Sequence, residues 1–384
     1  MGTPWPANTV RSSHLQELKI TGRALVNNLQ LLHDNPQLTL LRMWFSDSAT
    51  YKEFQPAVES LTRLQSLYLD FLHPESWDHL ARVLNNNPDL RIIAFTRPRD
   101  IMGFEGCEPL AQLTLLHFTG DWDRNPGILQ LIQLCPRLER LEFSASGCPT
   151  KQLVAILKAS CPFLNAIQYE GHLEDEEDAV LLIQAASCLL HLGMTVTQFS
   201  ARICGALMSH AEWIESLKLT LREHDEVNSR SLANIVDRCT NIRSLDVAGN
   251  AIDLEYPGPH LSWIDSPWNT PHLESISLRV LTYPYVFGAE TSTALASSSL
   301  ANSGSRAQRQ GVIESKRGLA QSCLDQGWAF DRCSTVGYDD KRISDTARAI
   351  RDAVLRRVTD NLWMHKIVIE DFTYVNKSRM PLKK

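Results

Sequence analysis

The sequence predicts an α/β fold built as a solenoid, with short parallel strands on one face and helices on the other. Three observations carry this expectation. The pattern apolar-x-x-apolar-x-apolar starts at Leu15, Leu38, Leu64, Leu90, Leu113, Leu138, Leu164, Leu189, Ile214, Ile242 and Leu273. Successive starts lie 23 to 31 residues apart, a period that fits one strand and one return segment per unit. A proline stands two residues before five of the starts, in Asn35-Pro36, Asn87-Pro88, Cys135-Pro136, Cys161-Pro162 and Thr270-Pro271. Proline disfavours helix at the residue before it, so each of these pairs ends a preceding helix.

The return segments read as helices. Apolar residues recur at helical spacing over 25–32, 77–84, 128–134, 153–157 and 232–236. Each unit is thus expected to be a helix, a break and a strand. A single unit cannot bury its own apolar side, but stacked units share one continuous core. This grammar is that of a leucine-rich repeat solenoid, a horseshoe with its parallel strands on the concave face and its helices on the convex face.

The spacing also divides the chain. Residues 1–13 form an N-terminal extension and 14–287 the repeat array. Gly288 to Gly318 is rich in Ala, Ser, Gly and Gln, with a mild basic cluster at Arg306, Arg309, Lys316 and Arg317, and residues 288–340 read as a flexible insertion within the array. Ile343, Ala347, Ile350, Val354, Val358 and Leu362 then fall at helical spacing, followed by Met364-x-x-Ile367-x-Ile369. The segment 341–375 is therefore expected to be a closing repeat, and 376–384 a basic tail. A Pro-rich loop over 256–270, with Trp263 and Trp268, lengthens the unit before Leu273.

Composition narrows the function. The chain has 384 residues, is 43% hydrophobic and carries a net charge of -6. That balance argues against charge-driven binding to nucleic acid or anionic membrane. No apolar run of membrane-spanning length is present, and Met1 to Val10 lacks a signal-peptide pattern. Nine scattered cysteines without an export signal suggest reduced thiols in cytoplasm or nucleus. Cys135, Cys161 and Cys239 share one position, three residues before the strand pattern, where a small buried residue would pack at a helix end. No CxxC pair or histidine pair has metal-ligand spacing, so no metal or other cofactor is expected. No GxSxG, Walker, HExxH or GxGxxG motif appears, and no enzymatic activity is expected. The acidic run from Glu174 to Asp178 stands where a helix should begin, and acids there favour the helix dipole.

Function is then expected on the concave face. Strand alternation turns Arg42, Trp44, Tyr68, Asp70, His117, Arg140, Glu142, Gln168, Glu170, Lys218, Asp246 and Arg279 outward, with Trp122 in a following rim loop. Aromatic residues and arginine are common anchors of protein interfaces. A protein partner on this face is the expectation.

The repeats also carry a resemblance. Leu138-x-x-Leu141-x-Phe143 after Cys135-Pro136, Leu164-x-x-Ile167-x-Tyr169 after Cys161-Pro162, and Ile242-x-x-Leu245-x-Val247 after Cys239 resemble the cysteine-containing repeats of F-box leucine-rich repeat proteins, a ribonuclease-inhibitor-like solenoid type. The likeness spans about Leu15 to Val280. It implies substrate recognition for ubiquitin-dependent degradation. No F-box pattern is visible in the 13 residues before the repeats. Docking to a Skp-type adaptor and cullin is expected only if an F-box lies upstream. The alternative is a repeat regulator or inhibitor that binds its partner outside ubiquitin ligation.

Overall fold

The computed structural model describes residues 15–21, 29–44, 48–70, 77–98, 100–146, 148–173, 175–197, 199–221, 231–232, 234–235, 237–250, 272–281, 328–332, 366–369 and 372–376. The chain forms two compact units, Met1–Thr195 and Val196–Lys384. The N-terminal extension, the loop 256–270 and nearly all of the segments 288–340 and 341–375 lie outside the described residues, as does the tail beyond Asn376.

The first unit alternates strands and helices. Its strands are β1 (Glu17–Thr21), β2 (Leu40–Trp44), β3 (Ser66–Asp70), β4 (Ile92–Thr96), β5 (Leu115–Asp121), β6 (Arg140–Ser146), β7 (Ala166–Leu173) and β8 (His191–Val196), which ends at the unit boundary. Its helices are α1 (Leu29–His33), α2 (Ser48–Glu59), α3 (Trp77–Asn85), α4 (Gly127–Gln133), α5 (Thr150–Ser160) and α6 (Glu176–Ile183). Each strand begins two residues after the start of an apolar pattern. Consecutive strands from β1 to β7 pair in parallel and in register.

Alternation sorts the side chains. Leu41, Met43, Leu67, Leu69, Ile93, Phe95, Leu116, Phe118, Leu141 and Phe143 are almost wholly buried. Each buried side chain of this size stabilises by about 1.5–3 kcal/mol relative to exposure. The last apolar position carries an aromatic row, Phe95, Phe118, Phe143 and Tyr169, aligned by register. Phe143 and Tyr169 stand 4.7 Å apart between ring centroids.

A second row stitches the units through polar atoms. Asn35, Asn87, Cys135 and Cys161 stand at the same repeat position, and all four are buried. Asn87 accepts from the Leu64 amide and donates to the Leu61 and Val83 carbonyls, each at 2.8 Å. Asn35 accepts from the Leu15 amide at 3.2 Å and donates to Leu31 at 2.8 Å. The Cys161 thiol donates weakly to the Cys135 and Ile132 carbonyls of the preceding unit. The thiol position read from sequence as simple packing is thus also a weak donor between units. Where the site holds Asn, that link is stronger.

Local chemistry starts the helices. Asp175 caps α6 by accepting from the Glu177 amide at 2.8 Å, and Glu176, Glu177 and Asp178 occupy its first turn. The acidic run thus stands at a helix start.

One unit departs from the expected grammar. Among the described residues between β4 and β5, 97–98 and 100–114, none is helical. Arg97 and Asp100 have φ of 54° and 56°, and Gly106 has 73°. Left-handed backbone at these points turns the chain too often for helical hydrogen bonding. Neighbouring units satisfy its polar groups instead. Asn85 at the end of α3 donates to Gly106 O and accepts from the Glu108 amide, both at 2.9 Å. The Phe104 amide donates to Gln130 of α4 at 2.8 Å, and the Ile101 amide to the Asn125 side chain at 3.0 Å. The loop lies so close to α4 that a Cβ on Gly127 would stand 2.7 Å from the Gly103 nitrogen.

The second unit contains α7 (Ala201–Met208) and strands β9 (Ser216–Leu221), β10 (Ser244–Asn250), β11 (Ser275–Leu281), β12 (Trp328–Arg332), β13 (Lys366–Ile369) and β14 (Phe372–Asn376). Ser200 caps α7 by accepting from the Ile203 amide at 3.2 Å. β9, β10, β11 and β13 pair in parallel, and β14 and then β12 continue antiparallel. β13 occupies the strand pattern that starts at Met364. β14 and β12 pair beyond it in the sheet. β12 also puts a strand inside the expected flexible insertion. Its alternating Trp328, Phe330 and Arg332 suit a strand, a signal that the surrounding small residues mask.

Candidate functional site

The candidate site is the uncovered face of the first unit, opposite the buried leucine rows. Register aligns Arg42, Tyr68, Ala94, His117, Glu142 and Gln168 in one row across six strands. A parallel row holds Trp44, Asp70, Thr96 and Thr119. Ala94 and Thr96 are small, and their larger neighbours rise on both sides. The result is an open depression of about 300 Å³, at the low end of small-ligand pockets.

One wall is cationic and aromatic. The Arg42 guanidinium lies 4.1 Å from the Tyr68 ring centroid and 5.4 Å from that of Trp44. Such contacts attract through the ring quadrupole and hold the cation in one place.

The other polar groups are engaged. Asp70 is 6% exposed and accepts from Arg97 Nε at 3.2 Å and Nη2 at 2.7 Å. Arg97 holds this fork from a left-handed backbone that costs about 1–2 kcal/mol for a residue with a Cβ. Glu142 accepts from His117 Nδ1 at 3.1 Å and from Arg140 Nε at 2.5 Å. The hydrogen bond from His117 holds the Glu142 carboxyl below its ordinary pKa, against an upward push from burial, and Arg140 adds to the lowering.

The structure gathers some of the expected residues and disperses others. Arg42, Trp44, Tyr68, Asp70, His117 and Glu142 line the depression together. Arg140 borders it through Glu142. Gln168 and Glu170 hydrogen-bond to each other at 2.7 Å on β7, outside the lining. Lys218 and Asp246 are in register on β9 and β10 of the second unit, and Arg279 lies one outward position further along β11.

Trp122 corrects the sequence expectation. Expected as a rim anchor, it is 2% exposed. Its ring packs edge-on against Phe118 at 5.1 Å and Phe143 at 5.8 Å. Burying so large an apolar ring in the core outweighs presenting it at the rim. Asp70 faces the expected way, but Arg97 covers it.

Several lining or supporting residues lie outside the expected set. Ala94, Thr96 and Leu115 sit at outward positions that alternation marks but carry neither charge nor an aromatic ring, and buried Met43 and Leu69 form part of the floor. Arg97 follows β4, and no sequence signal gives its left-handed backbone or its reach to Asp70.

No group of three His, Cys, Asp or Glu among the described residues is placed to hold a metal ion. Burial pushes the thiols of Cys107, Cys148 and Cys161 up to about 11 and that of Cys239 up to about 12, so they stay protonated near neutrality. Low thiolate content makes them poor nucleophiles. Among the described residues no helix is long and apolar enough to cross a membrane.

No protein-family model matches the sequence, and no curated protein matches it.

Proposed function

We propose that this chain is a leucine-rich repeat protein whose uncovered sheet face recognises a protein partner, as a substrate-recognition component of ubiquitin-dependent degradation. The depression bounded by Arg42, Trp44, Tyr68, His117 and Glu142 carries the reading. Rigid aromatic and arginine side chains beside small residues make a surface that can seat a partner's side chains. The repeat period and the Cys-Pro breaks support the leucine-rich repeat assignment, and likeness to F-box repeat proteins supports the degradation role.

The test is affinity capture from cells with tagged wild-type protein and the variant Trp44→Ala/Tyr68→Ala, with thermal melting as a check on folding. The expected result is a partner retained by wild type and lost by a folded variant. Retention by both would sink recognition through this face. Recovery of a Skp-type adaptor and cullin with the partner would support ligase recruitment. A partner recovered reproducibly without them would support the reading as a regulator or inhibitor outside ubiquitin ligation.

A further inference from the structure

We infer that the depression is selective for a carboxylate-bearing, extended segment of the partner, with Arg42 as the anchoring group. This rests on the proposed recognition role and names its chemistry.

The acids lining the depression, Asp70 and Glu142, are already held, by Arg97 and by His117 with Arg140. Arg42 faces the same depression with no carboxylate partner among the described residues. Lys19, exposed on β1, is its neighbour in register and adds a second cation. Glu17 lies two residues from Lys19 on the same face of β1 and is the nearest acid along that strand. It is level with Leu40 rather than Arg42.

Geometry sharpens the preference. The Arg42 Cζ lies over the Tyr68 ring, 4.1 Å from its centroid. An aromatic face accepts no carboxylate-type pair of hydrogen bonds, so this contact does not use the paired N–H donors of the guanidinium. A planar fork with free edges matches a carboxylate with two hydrogen bonds. Glu142 stands four strands from Arg42, or about 19 Å at the usual strand spacing. That distance exceeds a Debye length of about 8 Å at physiological salt, so Glu142 does little to repel an acid at Arg42. Ala94 and Thr96 leave room beyond Tyr68 for the rest of the segment.

The experiment measures fluorescence anisotropy of labelled deca-glutamate, deca-glutamine and deca-lysine peptides, and of a single-stranded RNA homopolymer, with the full chain. Deca-glutamate should bind at least 10-fold tighter than deca-glutamine, with an affinity that falls as salt rises. Arg42→Ala and Arg42→Lys should each weaken it about 10-fold, because lysine keeps the charge but loses the stacked fork. Lys158→Ala, exposed in the last turn of α5, should leave it unchanged. Equal binding of the glutamate and glutamine peptides, insensitivity to Arg42, or a preference for RNA would overturn the inference. Binding of the cellular partner that needs Tyr68 but not Arg42 would overturn it while leaving the recognition role standing. Loss of partner dependence on both residues would remove the role itself.

Discussion

Arg97 reaches across one strand spacing to clamp the buried carboxylate of Asp70 with two hydrogen bonds, at 3.2 and 2.7 Å. It does so from a backbone with φ of 54°. Asp70 lines the depression, and the pair sets a backbone cost against a side-chain gain. Replacing Arg97 separates the two. Arg97→Ala should destabilise by about 1–3 kcal/mol, since Asp70 loses its charge-assisted bonds while remaining buried. Arg97→Gly loses the same bonds but relieves the left-handed strain, so it should be more stable than the Ala variant by about 1 kcal/mol. Urea unfolding of both variants measures the order. An Ala variant at least as stable as the Gly variant would mean the backbone is not strained there.

Asn87 makes three hydrogen bonds to backbone groups, two of them to the preceding unit. Asn87→Ala strands those buried groups and should cost about 2–4 kcal/mol. Asn87→Cys should recover only a minor part, because a thiol is a weak donor and cannot replace the amide oxygen. Chemical denaturation with the reverse change, Cys161→Asn, gives the comparison.

Gly127 opens α4 against the loop after β4, where a Cβ would stand 2.7 Å from Gly103 N and from an Ile101 methyl. Backbone cannot swing away as a flexible side chain can. Gly127→Ala should therefore destabilise by about 1–3 kcal/mol, despite the helix propensity of alanine. Gly205, inside α7 with open space around its Cβ position, is the control. Gly205→Ala should stabilise by up to about 1 kcal/mol.

Acid should weaken the fold through His79 and Glu59. His79 is 3% exposed, and its Nδ1 lies 2.6 Å from Glu59 Oε1, which Arg82 Nε also approaches at 2.6 Å. Burial lowers the His79 pKa below its ordinary 6.5, outweighing the upward pull of Glu59. Burial pushes the Glu59 carboxyl up, but its bonds to His79 and Arg82 together bring it below 4.5. Both groups bind protons more weakly in the folded state than in the unfolded one. Stability from His79 is present above pH 6.5 and is lost as pH falls below it, and that from Glu59 is lost below pH 4.5. Melting temperatures of wild type and His79→Gln across pH 7.5 to 4 test this. The variant's curve should be flatter below pH 6.5, and parallel curves would refute the assignment.

Alkali should act in the opposite sense on the thiols. Burial raises Cys161 to about 11 and Cys239 to about 12, both above the ordinary 9.0. Their contribution to stability is whole below pH 9 and is lost as pH climbs toward 11 and 12. Cys161→Ala/Cys239→Ala should flatten the stability profile between pH 9 and 11, measured by urea unfolding. Iodoacetamide at pH 8 should label these two cysteines only after denaturation.

Much of the fold was legible because its determinants are local and repeated. Eleven apolar patterns located the starts of eleven strands, and the Asn and Cys residues before them share one buried position. The lack of helix among the described residues between β4 and β5 was not legible, since its cause is backbone geometry at Arg97 and Asp100 together with bonds to α3 and α4. Trp122 looked like a rim aromatic because its segment follows a strand. Its burial depends on Phe118 and Phe143, the second of which lies in the next unit. Tyr68 and Arg42 were legible as outward residues one by one, whereas their stacking was not.

By itself the sequence determined the repeat length, the strand positions and which side chains leave the core, because a period-two strand and a proline break act over a few residues. Only the tertiary structure decided which outward residues share one depression, which acids are already neutralised and which cation remains available. Those outcomes depend on register between strands some 25 residues apart in sequence, and on long side chains that choose their partners only once the strands are side by side.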